Sequence, residues 1–193
     1  GKISMGRLKK GDLDTEGWTN LATLQGRIDS APLFIDDSPN MTLMEIRAKC
    51  RRLKQRNDLK LVVLDYLQLM SSGKKVESRQ QEVSEFSRSL KLLAKELDVP
   101  VIALSQLNRG SEQRTDKRPM VSDLRESGSI EQDADMVILL HREDMYNPDS
   151  ERVGEADMII AKHRGGPTRT IPLAFSGKYS RFNNMANEAP PQY

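Results

Sequence analysis

Apolar residues recur every three or four positions in three stretches of the chain, a spacing typical of amphipathic helices. The predicted helices span residues 14–28, 42–55 and 79–97. In the first, capped by Asp14 or Thr15, we expect Trp18 to join the protein core rather than serve as a stacking platform. The apolar face of the longest consists of Val83, Phe86, Leu90, Leu93 and Leu97. Each helix is therefore predicted to pack one side against a core.

Continuous apolar runs indicate strands that are buried on both faces. These runs span residues 33–35, 61–64, 99–104 and 136–140. Two further segments, 156–161 and 170–175, flank Gly165-Gly166-Pro167, which predicts an antiparallel hairpin. Because strands and helices alternate, we predict an α/β fold with a mainly parallel sheet, helices on both faces and a C-terminal antiparallel hairpin.

The chain has 193 residues, enough for one domain with a substantial core. We predict one domain over residues 1–182 and a disordered tail over 183–193, with no internal linker. Residues 108–119 are polar and lack an apolar anchor, so they are predicted to form a mobile surface loop.

Charge and cysteine content exclude several classes of protein. The formal net charge is only +2, so any nucleic-acid surface must be local. The basic residues of the 42–55 helix are interpreted as a solvated face rather than a nucleic-acid surface. A single cysteine, Cys50, allows neither a disulfide framework nor a zinc site, which fits a reducing cytoplasm. No apolar run is long enough to cross a bilayer, so no membrane partner is expected.

Polar residues follow two of the predicted strands. Asp65 comes directly after 61–64, and Gln106 closely follows 99–104. A helical crossover joins the two strands, so their carboxyl ends should lie at the same edge of the sheet. Asp65 is placed to hold Mg²⁺, as a Walker-B aspartate does, and Gln106 could donate to a phosphate or orient a water. Taken alone, Asp65 could equally end a strand, and Gln106 could bond a neighbouring backbone.

Two cations stand at the end of the first hairpin strand. Alternation along a strand places Lys162 and Arg164 on one face and His163 on the other, so His163 is not expected to be catalytic. The pair is suited to cross a subunit boundary and neutralise charge on a transferred phosphoryl group. A solvated hairpin tip remains the alternative.

The polar segment 123–135 precedes the 136–140 strand. Gly128 permits close approach of a backbone, and Arg125 can donate to phosphates, so the segment could follow a sugar–phosphate chain. An ordinary capped helix and turn would explain the same composition. The phosphate-binding sequence G-x-x-x-x-G-K followed by Ser or Thr does not occur.

Four motifs together resemble the DnaB family of replicative DNA helicases. They are Leu64–Met70, Ser105–Arg109, Asp123–Asp135 and Ala161–Thr168. The resemblance runs from about Ile3 to Phe182 and corresponds to the family's C-terminal motor domain, which has a RecA-like P-loop NTPase core.

The resemblance implies a hexameric ring that encircles single-stranded DNA and unwinds duplex DNA at the replication fork, with ATP and Mg²⁺ bound between subunits. Asp65 would then be the magnesium residue and Gln106 the γ-phosphate sensor. Lys162 and Arg164 would reach the neighbouring subunit's site. The residues expected to follow the DNA backbone, in a central loop, are Arg125, Glu126 and Gly128. Primase and a helicase loader would be partners of the full-length protein, in the bacterial cytoplasm at the nucleoid.

The chain departs from the family pattern upstream, because it contains no P-loop, no catalytic Glu near one and no N-terminal primase-contacting domain. It is thus expected to be a partial motor domain, from Walker B onward, with negligible ATPase activity by itself. Another RecA-like ATPase, such as a recombinase or a clock-type ATPase, remains an enzymatic alternative. A non-catalytic fragment that binds DNA or a partner is the second alternative.

Overall fold

The computed structural model describes residues 3–70 and 79–185, with only the backbone described at residues 79–80 and 125–128. Its α-helices are α1 (Met5–Lys10), α2 (Thr15–Asp29), α3 (Leu43–Asn57), α4 (Arg79–Leu97) and α5 (Gly128–Asp133). Its strands are β1 (Val62–Leu64), β2 (Val101–Ala103), β3 (Met136–His141), β4 (Glu155–His163), β5 (Arg169–Ser176) and β6 (Arg181–Asn184). Short 3₁₀ helices span Leu67–Leu69, Arg109–Gln113, Val121–Ser127, Glu143–Met145 and Gly177–Tyr179.

Helix α4 provides the largest part of the core. Its bounds match the prediction, and all five residues of its predicted apolar face are buried, with Phe86 fully enclosed. Four of them cluster with Val62 at the start of β1 and with Val99 just before β2: Phe86, Leu90, Leu93 and Leu97. The α4 face therefore holds both strands from one side.

Helix α3 packs on the same cluster through Ile46 and Cys50. A capping box begins the helix, because the Thr42 hydroxyl accepts from the Glu45 amide while the Glu45 carboxylate accepts from the Thr42 amide at 2.7 Å. Burial raises the pKa of the Cys50 thiol, as expected for a structural cysteine.

The basic face of α3 is paired with acidic side chains of this chain. Arg47 and Arg51 both donate to the Glu96 carboxylate of α4, and Lys49 pairs with Asp36. This pairing agrees with the interpretation of the face as a solvated helix surface.

Strands β1 and β2 form a two-stranded parallel sheet, and a second sheet has the strand order β3-β4-β5-β6. In the second sheet, β5 and β6 are antiparallel. The predicted fold class is confirmed, and strands β4 and β5 lie where the hairpin was predicted, although both are longer.

Burial of the strands on both faces was wrongly predicted. Val62 is buried, but Val63 in β1 and its register partner Ile102 in β2 are 56% and 50% exposed. Strand β3 likewise alternates between exposed and buried residues. Successive side chains point to opposite faces, and only one face of β1 and one face of β3 are covered within the described ranges.

Two predictions near the start of the chain were also wrong. Residues 33–35 form no strand and are exposed, because no described segment pairs with their backbone. Trp18 is 55% exposed rather than in the core, and Gly17 is the buried residue of α2. The predicted cap is confirmed, since the Asp14 carboxylate accepts from the Gly17 amide at 2.8 Å.

The segment 108–119 contains secondary structure and a buried residue that were not predicted. It contains the 3₁₀ helix Arg109–Gln113, and Ser111 within it is buried. At the other end of the chain, Asn183 and Asn184 lie in β6 rather than in a disordered tail, whereas residues 186–193 lie outside the described residues.

The described residues divide into two compact units. The first comprises those within Gly1–Ile35, Leu140–Met158 and Thr170–Tyr193, and the second comprises Asp36–Leu139 and Ile159–Arg169. The second unit contains both buried apolar clusters and every candidate site residue. The single motor domain over 1–182 stays a prediction. No helix in the described ranges is both long and apolar enough to span a membrane.

Two leucines of α4 provide a matched test of this core. Leu90 is buried and Leu92 is 56% exposed. Leu90→Ala should lower the free energy of unfolding by about 2–5 kcal/mol because it leaves a cavity, whereas Leu92→Ala should cost less than about 1 kcal/mol. Denaturant unfolding of the chain measures both, and equal losses would contradict the assigned packing.

Candidate functional site

The parallel register of β1 and β2 brings two candidate residues to one edge of the sheet. Leu64 is the register partner of Ala103, and the Leu104 amide donates to the Leu64 carbonyl at 2.9 Å. Asp65 and Gln106 therefore follow adjacent strand ends, as predicted from the crossover. Both are exposed, and the Asp65–Tyr66 peptide bond is cis.

The side chain of Gln68 joins the two strand ends. Its Oε1 accepts from the Gln106 amide at 3.2 Å, and its Nε2 donates to the Gln106 carbonyl at 3.2 Å and to Ser105 Oγ at 3.1 Å. Gln68 thus holds the backbone of Gln106. Sequence reasoning missed this role, although an amide within the otherwise apolar stretch 67–70 was a signal that could have revealed it.

Gln106 lines two cavities in this unit. The first, of about 380 Å³, lies over the strand ends and is also lined by Tyr66, Leu104 and Ser105. The second, of about 330 Å³, extends past Asn108 to Asp123 and Leu124. The side chain of Gln106 therefore lies between the sheet edge and the beginning of the polar segment 123–135.

An ion pair anchors the segment that links these regions. Arg114 donates from both terminal nitrogens to the buried carboxylate of Asp123, at 2.7 and 2.8 Å, and the Met120 amide donates to the same carboxylate. The Asn108 amide donates to the Asp123 carbonyl at 2.9 Å. The Arg114 guanidinium, followed by the Met120 amide, keeps the pKa of Asp123 below its ordinary value. The predicted mobile loop is tied down here, by a pair nine residues apart that matches no local periodicity.

The two hairpin cations lie against the end of α5. The Lys162 ammonium donates to the carbonyls of Glu131 and Gln132. The Arg164 amide donates to the Asp135 carbonyl at 2.8 Å, and its guanidinium contacts the Asp135 carboxylate at 3.3 Å. Arg164 is otherwise largely exposed, at 75% of its side-chain surface. Lys162 thus contacts the end of α5 and Arg164 contacts Asp135 just beyond it, while their shared face and their action across a subunit boundary stay predictions.

Asp135 is shared between two cations. Besides Arg164, it accepts from the Lys91 ammonium of α4. The Lys91 hydrogen bond, with a smaller contribution from Arg164, lowers the pKa of the Asp135 carboxyl. Sequence reasoning did not single out Asp135, because its partners are distant along the chain.

The turn after β4 is closely packed against His163. A Cβ atom added to Gly166 would lie 2.5 Å from His163 Nδ1, so only glycine fits without displacing the ring. His163 thus contacts its own turn, and its lack of a catalytic role stays a prediction.

The candidate DNA residues lie on a helical backbone. Arg125 and Glu126 belong to the 3₁₀ helix Val121–Ser127, and Gly128 begins α5. The expected loop is therefore helical, while the side chains of 125–128 lie outside the described residues.

The chemistry of Asp65 fits a magnesium ion that is shared with a phosphate. No cluster of three or more potential metal ligands occurs among the described residues, so the chain offers no complete metal cage there. Mg²⁺ does not need one, because it keeps several waters and binds one or two carboxylates together with substrate phosphates. A lone exposed carboxylate at a strand end satisfies this requirement.

Comparison with known proteins identifies relatives that match nearly the whole chain. The family model described as the DnaB-like helicase C-terminal domain matches residues 1–184. The replicative DNA helicase DnaB of Leifsonia xyli subsp. xyli is 70% identical over 95% of this chain and 40% of its own length. The DnaB of Geobacillus stearothermophilus is 56% identical over 96% of this chain and 41% of its own length. The chain thus spans about two fifths of these two relatives.

Two solved structures are similar at a TM-score of 0.89 and 44% identity, and each match covers 95% of this chain. One is described as an ATPase domain, of which 66% is covered. The other is a DnaB-like replicative helicase described together with its interactions with primase, of which 46% is covered.

The Arg114–Asp123 pair predicts a pH-dependent effect on stability. At pH 7, Asp123→Asn should lower the free energy of unfolding by about 1–3 kcal/mol, because it removes charge-assisted hydrogen bonds. The folded-state pKa of Asp123 is depressed, so its contribution is full above the ordinary value of 3.8 and is lost as the pH falls through the lower folded value.

Denaturant titrations of wild type and variant across this pH range measure the difference. Asp37→Asn, at an exposed position without an ion pair in the described part of the chain, is the control and should change little. A deficit in Asp123→Asn that is the same at pH 7 and below about pH 3 would contradict the assignment to a charged carboxylate.

Proposed function

Because the chain belongs to the family of DnaB-like helicase C-terminal domains, we propose that it forms the Walker-B portion of a motor that couples ATP hydrolysis to unwinding of DNA at the replication fork. The main structural support is the parallel register of β1 and β2, which brings Asp65 next to Gln106. The names of the relatives favour a helicase over a recombinase or a clock-type ATPase.

Asp65 would hold Mg²⁺, through water, beside the phosphates of ATP. The ion supplies positive charge that bridges phosphate oxygens and offsets the charge of the transition state. The carboxylate is exposed at the strand end and is thus free to accept such a ligand. The phosphate cradle itself would come from the upstream part of the full-length protein.

Gln106 would sense the γ-phosphate. Its backbone is held on both sides by Gln68, while its side chain is exposed between the two cavities. The side-chain amide of Gln106 can therefore turn toward a phosphate without displacement of the strand. Asp123 and Leu124, at the beginning of the polar segment 123–135, line the second cavity together with Gln106. This arrangement supports a role for Gln106 in transmitting the nucleotide state to that segment.

Lys162 and Arg164 would act on the ATP site of the neighbouring subunit in a hexameric ring. Among the described residues, the Arg164 guanidinium makes one contact, at 3.3 Å, and a guanidinium has five N–H donors. The other N–H donors of the guanidinium remain available for a phosphoryl oxygen. A planar cation that is always charged suits this task.

Arg125, Glu126 and Gly128 would follow the backbone of single-stranded DNA inside the ring. Arg125 would donate to phosphates, Glu126 would partner it or offer its backbone amide, and Gly128 would allow close approach. Primase and a loader would bind other parts of the full-length protein. The bacterial relatives support a place in the bacterial cytoplasm, and one structural neighbour is described with primase.

Arg164→Ala in the full-length protein should reduce ATP turnover by about 10³-fold or more, because loss of a finger removes charge stabilisation in the transition state. Nucleotide binding, followed by fluorescence of a labelled ATP analogue, should remain close to wild type. Arg169→Ala, an exposed arginine in the other strand of the same hairpin, is the matched control and should keep its turnover.

Mixing tests whether Arg164 acts between subunits. Rings that combine Arg164→Ala subunits with subunits mutated in the P-loop should regain turnover, because some sites then have an intact P-loop and an intact neighbouring finger. No recovery at any mixing ratio would contradict action across the boundary.

Arg125→Ala should weaken binding to single-stranded DNA and reduce its salt dependence, because each phosphate contact contributes about 0.7 to the slope of log affinity against log salt. Fluorescence anisotropy with labelled oligonucleotides of two sequences measures this slope. The loss should be equal for both sequences. Salt-independent binding by the wild type would instead favour a fragment that serves only as a protein partner.

A further inference from the structure

We propose that Asp135 is a positioning residue that links the DNA-contacting segment to the finger residues of the same subunit, so that DNA binding controls the finger offered to the next subunit. The inference rests on the proposed function and specifies its regulation. It is carried by contacts at the two ends of helix α5, all within one compact unit.

Helix α5 joins the two regions directly. Its first residue is Gly128, one of the candidate DNA residues. Near its other end, the carbonyls of Glu131 and Gln132 accept from Lys162. A helix of only six residues thus connects the expected DNA contact with one of the two finger cations. A displacement at the first end reaches the second through a single helix.

Asp135 extends this link to Arg164. Its carbonyl accepts from the Arg164 amide at 2.8 Å, and its carboxylate contacts the Arg164 guanidinium at 3.3 Å. Backbone and side chain therefore both connect the position just after α5 with the hairpin turn. The Arg164 guanidinium is held at one nitrogen and remains exposed, so it is oriented without being enclosed.

Lys91 makes the link reversible. It shares the Asp135 carboxylate with Arg164, so the carboxylate keeps a cationic partner when Arg164 turns toward a phosphate. Without a second cation, departure of Arg164 would leave the carboxylate unpaired. Two cations on one carboxylate thus suit an arginine that is held in one state and released in another.

The surroundings of α5 favour transmission over local fraying. Ile130 packs against both buried apolar clusters, and the Ser129 hydroxyl bonds the Ser84 hydroxyl of α4 at 2.8 Å. A short helix that has packing contacts along its length moves as a rigid body. The contacts of Lys162 and Asp135 would follow that movement.

The test compares Asp135→Asn with Lys91→Met in the full-length protein. Both variants break the Lys91–Asp135 ion pair, but only Asp135→Asn also breaks the charged contact with Arg164. The measured quantity is the ratio of ATP turnover with saturating single-stranded DNA to turnover without DNA. This ratio should fall about tenfold in Asp135→Asn, since residues on a coupling route change coupling by this order. It should fall by clearly less in Lys91→Met, which loses the second cation but keeps the contact between Asp135 and Arg164.

Asp135→Glu retains the carboxylate at an exposed position and should recover most of the ratio. DNA affinity should be unchanged in all three variants. Equal losses in Asp135→Asn and Lys91→Met would overturn the proposal, because they would assign the effect to helix packing. A wild-type ratio in Asp135→Asn would overturn it as well.

A second measurement needs no mutation. Hydrogen exchange of the wild-type protein should show that single-stranded DNA changes protection of the Arg164 amide together with the amides of α5. A change in α5 without one at Arg164 would overturn the link. If the wild type shows no DNA-stimulated turnover, the proposed function itself fails, and this result differs from a failure confined to Asp135→Asn.

Discussion

The structure depends on the burial of one face of α4 against β1 and β2. This long helix connects the two strands, and its apolar side chains pack on the residues at which both strands begin. Burial of this kind is the dominant favourable contribution to folding and has no preferred direction by itself. The hydrogen-bonded register supplies the direction, because it aligns the carboxyl ends of the strands. The positions of Asp65 and Gln106 follow from these two effects together.

Beyond this core, polar contacts hold the segments that lack apolar anchors. Gln68 fixes the backbone at Gln106, the Arg114–Asp123 pair fixes the segment that follows it, and Asp135 fixes the hairpin turn at Arg164. Each is a small contribution to stability, about 1–3 kcal/mol at most for a charge-assisted bond. Such contacts can exchange partners at little cost, whereas a packed core cannot. The candidate site is thus built from exchangeable contacts on a fixed base.

The sequence predicted those features that depend on local periodicity. The five-residue face of α4, the capping of α2 and the hairpin around Gly165-Gly166-Pro167 all follow from spacing or from turn chemistry. The shared edge of Asp65 and Gln106 also followed, because a helical crossover makes the strands on either side of it parallel. Features that depend on residues distant along the chain could not be predicted from local periodicity. Trp18, Val63 and Ile102 are apolar, but their burial requires a covering surface that the described residues do not provide.

The same limit applies to the site. Gln68, Arg114 and Asp135 bond partners that are 9 to 44 residues away along the chain, and no periodic pattern reports such pairs. A polar residue between apolar ones was the available signal for Gln68. The residues around Arg114 are polar, which suggested that its side chain faces solvent. The structure instead pairs Arg114 with the buried carboxylate of Asp123. Pairing of charges over a distance can be seen only once the fold is known.

The contact between Gly166 and the His163 ring has a consequence for the mechanics of the hairpin tip. A turn with empty space beneath it can bend. The direction of a side chain at the end of such a turn is then poorly defined relative to the strand. Here the imidazole fills the space, and the absent Cβ of Gly166 lets the turn close down on it. The filled turn therefore limits how far the tip can bend, and the contact with Asp135 orients the Arg164 side chain beyond it.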